Sequence, residues 1–116
     1  MPPSEPRIFH IADQERWTLA ETTGGYTPPG FETDQFIHCC TLEQMSGVLF
    51  RFFKDQDSIL VLELETNRLM NQLRFENLEN GAELFPHLYS SLPISDVKQV
   101  FHLRRNKNME FDLSIL

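Results

Sequence analysis

The sequence predicts an α+β domain, a mixed or mainly antiparallel sheet carrying two principal helices. Three observations support that class. Short apolar and β-branched runs recur along the 116 residues and are bounded by Gly, Pro, Asn and Asp. Two stretches between them have apolar residues at helical spacing behind a capping residue. Ser58 to Leu64, with Ile59, Leu60, Val61 and Leu62, is a near-continuous apolar run, as a strand covered on both faces requires.

Residues 1–7, rich in proline, are expected to form a flexible tail ahead of a single globular domain over residues 8–116. Arg7 to Ile11 reads as the first strand. Asp13 is a candidate N-cap for a helix through Gln14–Glu21, closed by Gly24-Gly25, with Trp17 and Ala20 facing the core. Tyr26-Thr27-Pro28-Pro29-Gly30 is expected to be a loop, one that could cover a pocket. Gln35 to Cys40 reads as a second strand. Thr41-Leu42-Glu43-Gln44 has the form of a capping box, with Leu42, Met45, Val48, Leu49, Phe52 and Phe53 as the apolar stripe of the helix behind it. The polar run Lys54–Asp57 ends that helix, and the central strand Ser58–Leu64 follows. Beyond come a turn near Thr66-Asn67-Arg68, a short strand Leu73–Glu76, a loop through Glu79-Asn80-Gly81, the His87 segment and a strand over Val97–Leu103. Phe111, Leu113 and Ile115 alternate at period two and predict a last strand.

Composition limits the functions open to such a domain. A formal charge of −7 works against non-specific nucleic-acid binding and against docking on an anionic membrane. Arg104, Arg105 and Lys107 form a lone basic cluster, expected to be solvated loop residues. No stretch approaches the roughly 20 apolar residues that span a bilayer, and the N-terminus lacks the basic and apolar regions of a secretory signal. Cys39 and Cys40 are adjacent, with Cα atoms about 3.8 Å apart, closer than a relaxed disulfide allows. Free thiols favour a cytoplasmic location.

Chemistry is expected at three histidines in apolar or aromatic settings: Ile8-Phe9-His10-Ile11, Phe36-Ile37-His38-Cys39-Cys40 and Phe85-Pro86-His87-Leu88-Tyr89. An imidazole among such neighbours needs partners for its nitrogens, so three of them suggest one shared polar cleft; each alone also reads as a core histidine bonded to backbone. On a strand, His38 and Cys40 would share a face, and Cys40 would lie beside a helix N-terminus that favours a thiolate or a bound anion. Against that stands the tendency of cysteine to be buried as a small hydrophobe. Arg74 and Glu76 would likewise share a strand face. The histidines lack the spacing of a local zinc motif, so no metal is expected. GxGxxG, GxxxxGK[ST], CxxC, HExxH and GxSxG are all missing from the sequence.

Taken together, Phe9-His10-Ile11, a helix containing Trp17, Phe36-Ile37-His38-Cys39 running into Thr41-Leu42-Glu43-Gln44, Leu73-Arg74-Phe75-Glu76 and Phe85-Pro86-His87-Leu88-Tyr89 make a recognisable order. From about Ile8 to Leu103 the chain resembles the family known as domain of unknown function 952. In that family Gly usually stands where Gln35 is, and Ser where Cys40 is. The family is grouped with the ADP-ribosyltransferase-like superfamily, so the resemblance implies a split, strongly curved sheet with NAD in a cleft. It also implies that His10 meets the nicotinamide-side ribose, and that Phe36, His38, Cys40 and Thr41 occupy the second motif. His87 stands where a Glu usually holds the ribose 2′-hydroxyl. Cleaving the ribose–nicotinamide bond develops positive charge that a carboxylate stabilises better than a neutral imidazole, which makes Glu76 and Glu83 the candidate carboxylates.

The candidate catalytic residues are therefore His10, His38, His87 and Glu76, and the candidate ligand-binding residues are His10, Phe36, Cys40, Thr41, Arg74 and Tyr89. The expected ligand is NAD as substrate, ADP-ribose or a related ribose phosphate, with glycosyl or ADP-ribosyl transfer as the reaction. A non-catalytic nucleotide-binding module is the alternative, and a metal- or thiol-dependent hydrolase is a third reading.

Overall fold

The computed structural model describes residues 6–77 and 81–116. Its first strand, β1 (Ile8–Ala12), is followed by α1 (Gln14–Thr23), as the sequence predicts. The Asp13 carboxylate accepts from Arg16 N–H at 3.0 Å, filling one of the donors a helix start leaves unbonded. Gly24 stops the helix at φ 92°, a left-handed conformation open to glycine, and its N–H reaches Ala20 O at 2.7 Å.

The next segment departs from the expected loop and long strand. β2 (Gly25–Tyr26) buries the Tyr26 ring completely, and a short helix, α2 (Phe31–Asp34), precedes β3 (Ile37–His38). Gln35 does not begin a strand; it sits at φ 67° and caps α2. Cys39 then separates β3 from β4 (Cys40–Thr41), and these two strands join different sheets. The pleat therefore does not run unbroken from His38 to Cys40, although both residues border one cavity.

The second long helix also starts later than expected. α3 spans Met45–Phe52, and Thr41 is not its cap. One half of the capping box does form, since Thr41 N–H donates to Gln44 Oε1 at 3.0 Å. Turns closed by Gln44 N–Thr41 O and Met45 N–Leu42 O fill the intervening residues. Met45 and Leu49 are buried as predicted, but Phe52 is 61% exposed.

β5 (Ser58–Leu64) is the central strand its composition demands, paired antiparallel with β1 on one side and β9 (Val97–Arg104) on the other. With β4 it completes a four-stranded sheet of order β4-β1-β5-β9. Its two faces feed two cores. Phe9, Ile11, Val61 and Phe101 pack against Met45 and Leu49 of α3. Ile8, Leu60, Leu62 and Leu64 pack against Trp17 and Ala20 of α1 and against Tyr26, Ile37 and Leu88. At about 1.5–3 kcal/mol for each large apolar side chain removed from water, these clusters are the main stabilising term.

A second sheet has the order β3-β7-β6, from β6 (Leu73–Glu76) and β7 (Phe85–Leu88), and β2 pairs with β8 (Leu92–Pro93). Every pairing among the described strands is antiparallel. The expected Thr66 turn is the one-turn helix α4 (Thr66–Leu69). The four helices among the described residues include two long ones, α1 and α3, so the class is α+β.

The last predicted strand does not form. Phe111 makes a single bridge to Arg105, and Leu113–Ile115 is a 3₁₀ turn. The reason is local: Asp112 Oδ1 accepts from both the N–H and the hydroxyl of Ser114, so the chain turns instead of extending. Arg105 is not a solvated loop residue. It donates to the carbonyls of Phe53, Lys54, Gln56 and Met109 and lies 4.3 Å over the Phe111 ring, fastening this terminus to the loop after α3. Of the expected tail, residues 1–5 lie outside the described residues, whereas Arg7 forms a two-pronged ion pair with the buried Glu63 at 2.9 and 2.8 Å. Glu79 and Asn80 of the expected loop also lie outside them. No described helix is long and apolar enough to cross a membrane.

Candidate functional site

The three-stranded sheet has two unlike faces, fixed by the alternation of its strands. Ile37, Leu73 and Leu88 point to the core around Tyr26. The opposite set begins with register partners: His38 faces His87 across β3 and β7, and His87 faces Arg74 across β7 and β6. Two segments far apart in sequence are thus brought together by one antiparallel ladder. The two imidazole centroids lie 5.6 Å apart, nearly edge to face, and Phe36 packs at 4.7 Å from His38 and 4.4 Å from His87.

Each of these histidines holds a carboxylate. His87 Nδ1–H donates to Glu76 Oε1 at 3.0 Å, and the Tyr89 hydroxyl donates to the same oxygen at 2.6 Å. Glu76 Oε2 has no bond to the described residues. The Tyr89 hydrogen bond, followed by that of His87, holds the Glu76 carboxyl below the usual carboxylate range, and the carboxylate in turn raises the Tyr89 hydroxyl. Arg74 lies 5.1 Å over the Tyr89 ring. His38 is exposed, and its Nε2 stands 3.2 Å from Asp34 Oδ2. Every buried side-chain nitrogen and oxygen among the described residues has a partner, while His87 Nε2 is bonded to none. His87 is itself buried, at 5% exposed, so it meets a ligand only through the cavity it lines.

What it reaches is a cavity of about 420 Å³ between this polar face and α3. That size suits a small-molecule site. His38, Glu76, Glu83 and His87 contribute polar groups, and Val48, Phe52, Phe53 and Phe85 line the apolar side. Arg51 stands at the junction, 5.6 Å from the Phe52 ring and 5.6 Å from that of Phe85. Gln44 Nε2 donates to Leu84 O at 2.8 Å, tying the loop ahead of α3 to the strand that carries His87.

His38, His87, Glu76, Phe36, Tyr89 and Arg74 are joined by these contacts into one constellation, and of them His38, His87 and Glu76 line the cavity, which His10 and Cys40 also border. His10 is 6% exposed with both ring nitrogens engaged: Nδ1–H donates to His38 O at 2.6 Å, and Nε2 accepts from the Tyr26 hydroxyl at 2.9 Å. Burial pushes its pKa down to about 4. It is a core histidine bonded to backbone at the wall of the cavity, holding the carbonyl of a site residue. Cys40 is buried beside Met45, and burial drives its thiol up to about 12, the reverse of the activated thiolate expected. Cys39 is buried too, with its pKa raised by burial. Thr41 caps no helix, so the anion site expected at its N–H does not form. Tyr26 belongs to the core and not to a loop over the cleft. Among the described residues no three His, Cys, Asp or Glu side chains could share a metal ion.

The sequence reading missed Asp34 and the apolar compartment around Arg51. Asp34 carried no helical signal, since α2 ends at it and the left-handed turn at Gln35 brings the strand residue His38 back towards its carboxylate. Arg51 carried none, because its place depends on how α3 packs against β7.

Comparisons with known proteins agree with this architecture. The crystal structure of CC0527 from Caulobacter crescentus superposes with a TM-score of 0.81 at 26% identity, covering 94% of this chain and 96% of that one. A double-methionine variant of CC0527 gives 0.80 at 25% identity over the same shares, and the solution structure of CC0527 gives 0.76 at 28%, covering 89% of each chain. No curated protein matches. The family model described as protein of unknown function (DUF952) matches residues 11–100, most of both sheets and the whole of the constellation, and the chain belongs to that family.

Proposed function

We propose that the cleft binds a ribose phosphate of the NAD or ADP-ribose kind and that Glu76 is the carboxylate meeting the ribose. The observation that carries this reading is the state of Glu76 at the cavity: ionised, clamped through Oε1 by Tyr89 and His87, with Oε2 left to accept a ribose hydroxyl. A carboxylate fixed in this way needs no reorganisation when positive charge develops on the sugar, which is what cleavage of a ribose–nicotinamide bond requires. Arg51 supplies a cation for a diphosphate at the cavity wall, and the Phe52, Phe53 and Phe85 side offers an apolar surface to a heterocyclic base. The resemblance to the ADP-ribosyltransferase-like superfamily points to the same ligand class. His38 and His87 then line the sugar side of the cleft, and His10 acts only through the backbone it holds.

Titration of isotope-labelled protein with NAD and with ADP-ribose tests this, read by NMR shifts at His87, Tyr89 and Arg51 and by nicotinamide release. Both ligands are expected to shift the three residues. Glu76→Gln is expected to keep the shifts and lose nicotinamide release by a factor of about 100 or more, because only the transition state needs that charge. Binding without release in the unaltered protein would reduce the domain to a ligand-binding module. No shift with either ligand at millimolar concentration would overturn the proposal.

A further inference from the structure

The geometry points to a second chemistry in this cleft, general acid–base cleavage of a short ribonucleoside phosphodiester by His38 and His87. It rests on the ribose-phosphate reading above, and it uses the one feature that reading leaves over. Stabilising a sugar cation takes a carboxylate; it does not take two imidazoles. Here two stand as register partners with centroids 5.6 Å apart, each fixed by its own carboxylate through a different nitrogen. Glu76 holds Nδ1 of His87 and Asp34 holds Nε2 of His38, so Nε2 of His87 and Nδ1 of His38 are the nitrogens left for a ligand.

Opposite tautomers on facing histidines suit a reaction that removes a proton from one oxygen and delivers a proton to another on the same phosphorus. His87, its Nδ1–H committed to Glu76, presents a basic lone pair at Nε2. His38, paired with Asp34 when protonated, presents an N–H at Nδ1. The balanced step follows. Nε2 of His87 takes the proton of the ribose 2′-hydroxyl; the 2′-oxygen forms a bond to phosphorus; the bond from phosphorus to the 5′-oxygen breaks; and Nδ1–H of protonated His38 gives its proton to that leaving oxygen. The products are a 2′,3′-cyclic phosphate and a free 5′-hydroxyl, with no further reactant. Arg51, which lines the cavity, is the cation for the phosphate oxygens. The net charge of −7 favours a dinucleotide over a long RNA strand.

The test is incubation of the full chain with a dinucleoside monophosphate, followed by ³¹P NMR for the cyclic phosphate, with the 2′-deoxy dinucleotide alongside. The ribose substrate is expected to yield cyclic phosphate and the deoxy substrate nothing. His38→Ala and His87→Asn, prepared identically, are each expected to lose the activity about 100-fold or more. Asn keeps an N–H for Glu76 but has no base, so this variant guards against a merely structural loss, and urea unfolding reports that both variants remain folded. Cleavage that persists in either variant, or that proceeds on the deoxy substrate, would overturn the assignment. So would an absence of cyclic phosphate from protein that binds ADP-ribose, an outcome that leaves the ribose-phosphate site standing. Failure to bind ADP-ribose as well would remove both.

Discussion

Replacing His10 by phenylalanine should change how stability depends on pH more than it changes the fold. His10 is buried, its Nδ1–H on His38 O and its Nε2 on the Tyr26 hydroxyl, and its pKa falls from 6.5 to about 4. Because the folded value lies below the ordinary one, the unfolded chain binds a proton that the folded protein refuses. The stability contributed is therefore complete above about pH 6.5 and is lost as pH falls towards 4. At about 1.4 kcal/mol per pH unit, the interval from 6.5 to about 4 corresponds to roughly 3 kcal/mol. The variant strands the His38 carbonyl and the Tyr26 hydroxyl, which should cost about 2 kcal/mol at pH 7.5. Urea unfolding of both proteins from pH 7.5 to pH 4 checks this. The gap between them should shrink by about 3 kcal/mol and close or reverse at the acid end. Since carboxylates titrate in both proteins, their contribution cancels in the difference. A gap that stays constant across the range would refute the assignment of His10 as a buried neutral histidine.

Three further outcomes are expected. In Tyr89→Phe the Glu76 carboxyl should titrate at a higher pH than in the unaltered protein, because the largest cause of its lowering is removed; side-chain ¹³C NMR of Glu76 reads the change. A thiol reagent at pH 8 should leave both cysteines untouched in the folded protein and modify both on unfolding, since each is buried with its pKa raised. Gln35→Gly should raise stability by up to about 1 kcal/mol in urea unfolding, because Gln35 sits at φ 67°, where a side chain is strained and glycine is not.

Elements with a complete local signal were legible in the sequence. Asp13 and Gly24 bound α1 because capping and left-handed stops are decided by neighbouring residues. The apolar run of β5 placed it centrally because only a strand covered on both faces tolerates such a run. The β3–β4 region was not legible, since the break at Cys39 follows from two separate ladders, one to β7 and one to β1, recruiting successive residues. The delayed start of α3 has a similar origin. Gln44 supplies the capping contact to Thr41 N–H, yet its amide nitrogen is drawn to Leu84 O, a partner forty residues distant. At Gln35 no local signal announced the left-handed cap, which this residue occupies under strain and which glycine would adopt freely.

The histidines show where a residue-level signal divides. All three lie among apolar neighbours, and the same pattern led to opposite outcomes. His10 stands on β1 of the larger sheet, both of whose faces are packed into cores, so its side chain is enclosed and both nitrogens are satisfied there. His38 and His87 stand in the smaller sheet, where only one face packs against the main core. The residues that alternate with Ile37 and Leu88 are consequently presented to the cleft. What separates a structural from a site histidine here is the covering of the sheet's second face, a property of the topology that flanking residues cannot encode. The hydrogen bond from His10 to His38 O joins the two cases, since the core histidine fixes the backbone on which the cleft histidine stands. Acid acts at the opposite nitrogen: protonation of Nε2 ends its acceptance from the Tyr26 hydroxyl while Nδ1–H keeps His38 O, so the His10 and Tyr26 ring signals should change together near pH 4 with the His38–His87 ring contact intact, and an earlier loss of that contact would refute the arrangement.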